Sequence, residues 1–269
     1  MHRRTDLRPE PGPVPRPVLL VIAHGSRDPR HAATVHALTR RVRALRPGLA
    51  VETAFLDFNA PAVGQVLARL YADGVREVVA LPLLLTRAFH AKADIPAVLS
   101  ESAALLPGLR IRRAEVLGPS PLLVAALERR LTEAGLDPAD RPTTGVVLAS
   151  AGSSDPEAIA AIAETAREWR RTGWCAVRPA FASGTSASGF PRTEDAVRAL
   201  RAEGVRRVVV APYVIAPGRL PDRIADGARA AGADLLAEVL GPAPELALLL
   251  LRRYDESLAA AVSRPALTA

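Results

Sequence analysis

Cysteine and aromatic residues are scarce in this chain of 269 residues. The single cysteine, Cys175, excludes a disulfide framework, a cysteine-rich zinc module and a cysteine-ligated iron–sulfur cluster. Aromatic residues make up 4% of the sequence, too few for the stacked platforms that hold single-stranded nucleic acid. These absences favour a reducing compartment, and we expect a cytoplasmic protein.

Long apolar runs are also missing. Residues 1–17 are rich in proline and arginine and contain no apolar core of the ~7–15 residues that a signal peptide needs. No stretch of the sequence reaches the ~18 continuous apolar residues of a membrane span. We therefore expect residues 1–17 to form a disordered tail, and we expect no membrane partner.

The chain is basic, with 35 lysine and arginine residues against 28 aspartate and glutamate residues and a net charge of +7. A positive charge favours an anionic ligand such as nucleic acid, a phosphate or a polycarboxylate. The arginines are spread along predicted helices rather than clustered, so we expect no nucleic-acid partner. A bias in genomic base composition would give the same excess of arginine without any functional meaning.

Short apolar runs alternate with longer amphipathic segments from Val18 onward. In the first half of the chain, strands are predicted at residues 18–23, 50–56, 75–85 and 110–117, and helices at residues 30–45, 62–72, 96–106 and 122–134. Strands that alternate with helices at this spacing indicate βαβ units and a parallel sheet. The predicted fold class is α/β.

The second half of the chain repeats the pattern of the first. Three pairs of segments match in the same order: residues 22–29 with 149–156, 73–82 with 203–212, and 117–119 with 240–242. Asp28 and Asp155, each followed by proline, predict equivalent helix starts. We therefore predict a tandem duplication of two similar lobes at residues 18–138 and 143–265, joined by a linker near residues 135–144. Each lobe is expected to be a doubly wound, mainly parallel sheet flanked by helices.

The histidines distinguish the two lobes. All five lie in the first ninety residues, and His24 and His90 follow the first and third predicted strands. Because open parallel sheets bind ligands at the carboxyl ends of their strands, both imidazoles are expected at one edge, where they could hold a divalent transition metal. Ala151 and Leu220 occupy the corresponding positions of the second lobe. The alternative for each histidine is an ordinary local hydrogen bond.

Other polar residues near this edge have two interpretations each. Asp57 follows the second strand and could be a metal ligand or a proton acceptor, or an ordinary turn residue. The segment Gly25–Arg27 precedes a helix start, where backbone N–H groups favour anions. His31 and His36 are five residues apart on a predicted helix, and we expect them on solvent-exposed faces.

Three segments that contain these residues resemble the motifs of a known family. They are Ala23–Pro29 (AHGSRDP), Phe55–Pro61 (FLDFNAP) and Pro82–Pro96 (PLLLTRAFHAKADIP). Together they are similar to the class II, ATP-independent sirohydrochlorin chelatases of the CbiX/SirB type, in their two-domain form. The resemblance implies a lyase that inserts Fe²⁺ or Co²⁺ into sirohydrochlorin, for siroheme or cobalamin synthesis. It also implies no organic cofactor, because the metal ion is a substrate.

The resemblance also assigns roles to residues of the first lobe. His24 and His90 match the metal-binding and catalytic histidines of the family, and Asp57 stands where the family commonly has a catalytic glutamate. The residues expected to bind the carboxylates of the tetrapyrrole are Ser26, Arg27, Arg87 and Lys92. For the three basic residues, an exposed surface position is the alternative. We expect one active site per chain, in a cleft that opens between the lobes.

Several functions remain open at this stage. Insertion of Fe²⁺ for siroheme is the favoured reaction, and the alternatives are a cobaltochelatase of cobalamin synthesis or a non-catalytic carrier of tetrapyrrole or metal. A metal-dependent hydrolase or a phosphoryl-ligand binder would need more carboxylate ligands or a longer glycine-rich loop than the sequence has. Since the duplication can replace a homodimer, we expect a monomer or a weak oligomer.

Overall fold

The structure is a computed structural model that describes residues 16–87, 90–184 and 190–262, apart from the side chains of residues 90, 261 and 262. The strands are β1 (Val18–Ala23), β2 (Val51–Phe55), β3 (Glu77–Pro82), β4 (Arg110–Arg113), β5 (Thr144–Ser150), β6 (Ala176–Phe181), β7 (Arg207–Tyr213) and β8 (Leu235–Leu236). The helices are α1 (Pro29–Leu45), α2 (Val63–Ala72), α3 (Ile95–Leu105), α4 (Pro121–Glu133), α5 (Pro156–Arg170), α6 (Thr193–Ala202), α7 (Arg219–Ala230) and α8 (Pro244–Val262). The predicted tail falls, up to residue 15, outside these ranges.

Two short helices of other types complete the described elements. A π-helix covers His90–Asp94 and leads directly into α3, and a 3-10 helix covers Pro138–Thr143. The 3-10 helix lies within the predicted linker, which is therefore partly regular, and Asp137 caps it by accepting a hydrogen bond from the Ala139 N–H at 2.9 Å. None of the helices in the described ranges is long and apolar enough to cross a lipid bilayer.

Two parallel sheets of four strands form the framework. The strand order is β2-β1-β3-β4 in the first half of the chain and β6-β5-β7-β8 in the second. Every residue of β1 and of β5 is buried, because helices cover both faces of each sheet. The predicted fold class is confirmed: two similar α/β lobes, each with a parallel sheet flanked by helices.

The ends of the elements follow local chemistry. Asp28 caps α1 by accepting a hydrogen bond from the Arg30 N–H at 2.9 Å, and Asp155 caps α5 by accepting one from the Glu157 N–H at the same distance. The third strand ends at Pro82, earlier than the predicted residue 85. Proline has no N–H to donate to a strand ladder, although the next residue, Leu83, still donates a hydrogen bond to the carbonyl oxygen of Ile22 at 2.7 Å.

The last helix of each half packs against the sheet of the other half. Helix α4 contacts β7, and α8 contacts β3 as well as α1 and α4. Alternate strand residues, such as Leu19 and Val146, point into this central layer of helices and belong to one apolar cluster with members from both halves. The outer faces of the sheets pack on α2 and α3 in the first half and on α6 and α7 in the second. The central core is therefore shared, whereas the length of the chain also allowed two separate cores.

Two arginines at equivalent positions of α4 and α8 stabilise the packing of each helix against the other half. Arg253 of α8 donates hydrogen bonds to the carbonyl oxygens of Val116 and Leu117 at 2.9 and 3.0 Å. Arg130 of α4 donates one to the carbonyl oxygen of Leu240 at 2.9 Å. Leu117 and Leu240 begin the two copies of the Leu-Gly-Pro segment that the sequence repeats. The duplication is therefore visible in the contacts between the halves as well as in the order of the strands.

Candidate functional site

His24 and Asp57 are held next to each other at the carboxyl edge of the first sheet. His24 directly follows β1, and β1 and β2 pair in parallel up to the partners Ala23 and Phe55. Beyond the strands, the Asp57 N–H donates a hydrogen bond to the carbonyl oxygen of His24 at 2.9 Å. The two loops that leave these strands therefore run side by side, as the alternation of strands and helices predicts.

Gly25 allows these two loops to approach closely. Its φ is +96°, and a Cβ at this position would lie 1.8 Å from the carbonyl oxygen of Asp57. A further hydrogen bond joins the loops, from the Ser26 N–H to Oδ1 of Asn59 at 2.8 Å. Contacts between the two loops therefore hold His24 and Asp57 side by side, and the Asp57 carboxylate adds a local hydrogen bond by accepting from the Phe58 N–H at 2.8 Å.

A cleft of about 500 Å³ opens beside this pair. Its polar lining comes from His24 and three carboxylates, Asp57, Asp94 and Glu101. Its remaining lining residues are Phe55, Leu56, Ala62, Val63, Gly64, Ala97 and Val98. All of these residues belong to the first half of the chain, whereas the sequence predicts a cleft between the two lobes.

An exposed aromatic ring lies next to His24. The rings of His24 and Phe58 have centroids 6.2 Å apart, and the Arg27 guanidinium lies 5.2 Å from the centroid of the Phe58 ring. Phe58 is 49% exposed, which is unusual for a large apolar side chain. The ring offers a flat apolar surface beside the histidine, with a positive charge above it.

His90 begins the π-helix His90–Asp94 on the carboxyl side of β3, the edge that also carries His24. Its side chain lies outside the described part of the structure, so the approach of the two imidazoles to one point stays a prediction. Among the described residues, no group of three or more histidine, cysteine, aspartate or glutamate side chains is arranged to hold a metal ion.

The other predicted ligand-binding residues lie in different surroundings. Arg87 forms an ion pair with Glu115, which raises the pKa of its guanidinium, and it lines a groove of about 260 Å³ that also contains Glu157 of the second half. The Lys92 ammonium lies 2.7 Å from Oδ2 of Asp155. Its hydrogen bond lowers the pKa of the Asp155 carboxyl. Of the basic residues in the predicted set, the structure thus brings Arg27 near His24 and gives Arg87 and Lys92 acidic partners.

Ser26 has a local role as well as the predicted one. Its hydroxyl oxygen accepts a hydrogen bond from the Asp28 N–H at 3.1 Å, and Asp28 in turn caps α1. In the second half, the Ser153 hydroxyl accepts one from the Asp155 N–H at 3.0 Å. The side-chain hydrogen bond of Ser26 therefore belongs to the helix start that both halves share.

His31 and His36 are half-buried, and the prediction that both are solvent-exposed is wrong. His36 packs edge-on against Phe55, with ring centroids 5.8 Å apart. The Nδ1 atom of His31 is buried and finds no hydrogen-bond partner among the described residues. Burial lowers the pKa of His31, and the nearby His24 lowers it further. The sequence offered one signal that was missed: counting from the shared Asp-Pro pair, the second half has Ala158 where the first has His31.

The second half keeps the backbone of this site and lacks its chemistry. The Ser183 N–H donates to the carbonyl oxygen of Ala151 at 3.0 Å, the counterpart of the bond between Asp57 and His24. Gly152 has a φ of +94°, matching Gly25. Alanine and serine therefore stand where the first half has histidine and aspartate, in the same arrangement of loops.

Comparison with known proteins agrees with this fold. The CbiX family profile matches residues 18–134 and 145–257, once on each half of the chain. The chain is 28% identical over 250 residues to the sirohydrochlorin cobaltochelatase of Priestia megaterium, covering 89% of this chain and 79% of that protein. It is 26% identical over 239 residues to the sirohydrochlorin ferrochelatase of the same organism, covering 86% and 87%.

A solved structure shares the architecture of both halves. SirB from Bacillus subtilis with Fe³⁺ superimposes with a TM-score of 0.80 at 23% identity, over 93% of this chain and 98% of that chain. At this identity the superposition shows the fold alone. Taken with the match of the family profile to both halves, it leads to one conclusion: the chain belongs to the CbiX family.

Proposed function

We propose that this protein is a sirohydrochlorin chelatase, a lyase that inserts a divalent metal ion into the tetrapyrrole without ATP or an organic cofactor. The observation that carries the proposal is the pairing of His24 with Asp57 at the sheet edge, joined by the 2.9 Å hydrogen bond between their backbones and facing an open cleft. Both P. megaterium relatives are named as enzymes of this reaction, one for cobalt and one for iron.

The chemistry requires a metal-binding group and a proton acceptor. One divalent ion enters the macrocycle, and two protons leave its pyrrole nitrogens, so the ion must first lose water and the protons must be accepted. We assign His24 and His90 to the metal ion, because a neutral imidazole binds Fe²⁺ and Co²⁺ without adding charge. We assign Asp57 to proton transfer, because a carboxylate beside the metal can accept a proton from the ring.

The surroundings of His24 suit a flat, polyanionic substrate. The exposed Phe58 ring can pack against the face of a tetrapyrrole, and Arg27 above it can pair with a peripheral carboxylate. Ser26 and Arg87 complete the proposed substrate-binding set, whereas the Lys92 ammonium is already held by Asp155 and Glu157. We further propose that the chain acts in the cytoplasm as a monomer or a weak oligomer, since α4 and α8 each pack against the sheet of the other half within one chain.

Two metal ions are candidates for the substrate. We favour Fe²⁺, for siroheme. Co²⁺ is the second candidate, because the P. megaterium relative that matches over the longer part of this chain is named a cobaltochelatase. Histidine and carboxylate ligands accept either ion, so the choice is decided by measurement with both.

The test is an insertion assay with purified protein, sirohydrochlorin and Fe²⁺ or Co²⁺ under anaerobic conditions, followed by the absorbance of the metallated product. We expect His24→Ala to lower the insertion rate by at least about 100-fold while the circular dichroism spectrum and melting temperature stay near those of the wild type. Adding Ala151→His to that variant should not restore activity, because the second half also lacks the other two site residues. A wild-type protein that binds sirohydrochlorin but does not accelerate insertion would contradict the proposal and favour a carrier.

A further inference from the structure

Lys92 connects the helix that begins with His90 to the second half of the chain. It lies in the π-helix His90–Asp94, and its ammonium is 2.7 Å from Oδ2 of Asp155 and 2.7 Å from Oε2 of Glu157. Both carboxylates stand at the N-terminus of α5, where Asp155 is the helix cap. A residue two positions from a predicted metal ligand is thus held by the half of the chain that has no histidine.

The same contact exists on the other side of the molecule with the signs of the charges exchanged. In the ungapped alignment of the two halves, Leu220 corresponds to His90 and Asp222 to Lys92. Asp222 lies in the first turn of α7, and its Oδ2 is 2.7 Å from Nη2 of Arg30, near the N-terminus of α1. Arg30 in turn pairs with Asp28, the cap of α1, at 2.6 Å.

The exchange of signs has a physical consequence. Lys92 pairs with Glu157, and Asp222 pairs with Arg30, which is the counterpart of Glu157. The two carboxylates at the start of α5 attract Lys92 and would repel Asp222, whereas at the start of α1 Arg30 attracts Asp222. The contact at Lys92 lies two positions from a predicted metal ligand, whereas α7 carries no histidine at the equivalent contact.

We propose that Lys92 is a positioning residue, through which the second half of the chain holds the His90 helix in place for metal insertion. This inference rests on the proposed function. It also replaces contact with the substrate as the main role of Lys92, because two carboxylates already engage its ammonium. Asp155 and Glu157 then contribute to the active site without touching the metal or the tetrapyrrole.

Lys92→Met tests the proposal, because methionine keeps most of the length of the side chain and removes its charge. We expect kcat for metal insertion to fall about three- to tenfold, as suits the loss of a partly exposed ion pair, with little change in KM for sirohydrochlorin. The matched control is Asp222→Asn, which breaks the equivalent contact of α7, the helix that corresponds to the His90 helix and carries no histidine. It should leave kcat unchanged and alter the melting temperature about as much as Lys92→Met does.

A charge exchange provides the rescue. Lys92→Asp alone places three carboxylates together and should lower kcat further than Lys92→Met. Combined with Glu157→Arg, it reproduces the Asp28–Arg30–Asp222 arrangement at the other contact, and kcat should return to within about twofold of the wild type. A residue that acts only through contact with the substrate would not be rescued in this way.

Hydrogen exchange separates this inference from the proposed function, because it needs no turnover. Amides in residues 90–105 should exchange faster in Lys92→Met than in the wild type, and those of α7 should exchange faster in Asp222→Asn. Unchanged exchange in residues 90–105, or a raised KM with an intact kcat, would overturn the positioning role. A wild-type protein that inserts no metal would instead overturn the proposed function, and the exchange data would still decide whether Lys92 holds this helix.

Discussion

Gly25→Ala is expected to damage the site far more than the same change at Gly152. Both glycines have φ near +95°, so alanine carries a similar backbone cost of about 1–2 kcal/mol at either position. The difference lies in what the new methyl group meets. At Gly25 it would lie 1.8 Å from the backbone carbonyl oxygen of Asp57, and at Gly152 it would lie 2.0 Å from the side-chain hydroxyl of Ser183. A hydroxyl can rotate away, whereas a carbonyl moves only with its chain.

The size of the effect follows from these distances. To relieve the contact at Gly25, the loops that carry His24 and Asp57 must separate by more than 1 Å. Overpacking of this kind costs about 1–3 kcal/mol beyond the backbone strain, so Gly25→Ala should lower the free energy of unfolding by about 2–5 kcal/mol in total. Displacing catalytic groups by about 1 Å can lower a rate about 100-fold. Gly152→Ala should cost about 1–2 kcal/mol of stability and leave the rate near that of the wild type.

Two measurements on each variant decide the matter. Urea unfolding gives the free energy of unfolding, and the anaerobic insertion assay at saturating sirohydrochlorin gives the rate of the folded fraction. The reasoning would be refuted if Gly25→Ala and Gly152→Ala inserted metal at the same rate, since that would mean that the close approach of the two loops does not set the geometry of the site.

The remaining predictions concern stability. Arg253→Ala should lower the free energy of unfolding by about 1–3 kcal/mol, because the carbonyl oxygens of Val116 and Leu117 lose a charged donor. Arg252→Ala, its neighbour with a 60% exposed side chain paired with Glu256, should cost about 0.5 kcal/mol or less; equal urea midpoints for the two variants would contradict this. Because burial lowers the pKa of His31, the unfolded chain binds a proton more readily than the folded one. The stability that neutral His31 contributes is therefore present above the ordinary pKa of 6.5 and is lost as the pH falls through the pKa of the folded state. His31→Gln should therefore lose less stability than the wild type between ~pH 7.5 and ~pH 5.5, and identical losses would exclude this contribution.

The sequence predicted the parts of the fold that depend on local chemistry. Strand β1 is a short apolar run, and Asp28 and Asp155 are each followed by proline, so the position of this strand and the two helix starts could be derived from the residues themselves. The duplication added a further constraint, because it required the same order of elements in both halves. The edge that carries His24 and Asp57 follows from the parallel sheet.

Features that depend on distant parts of the chain could not be predicted in this way. The π-helix at His90–Asp94 precedes the predicted helix start at residue 96, and nothing in the local pattern indicates it. The helical spacing predicts a solvent-exposed face for His31, but its burial depends on packing around the helix start, which the spacing does not show. Lys92 is expected from the sequence to bind a carboxylate of the tetrapyrrole or to lie exposed on the surface. Its partners Asp155 and Glu157 could not be predicted, because they are more than sixty positions away in the chain.

The packing of α4 and α8 against the sheet of the other half explains why the fold needs the second half, although that half has no histidine. The inner face of the first sheet is covered in part by α8, and that of the second sheet by α4, so each half alone would expose apolar side chains that the other half buries. A loss of the site residues in one copy leaves this requirement untouched, because Ala151 and Ser183 keep the same backbone contacts as His24 and Asp57. The second half was therefore free to change its site while its surface went on contacting the first. If Lys92 positions the His90 helix, that surface has also become part of the remaining site.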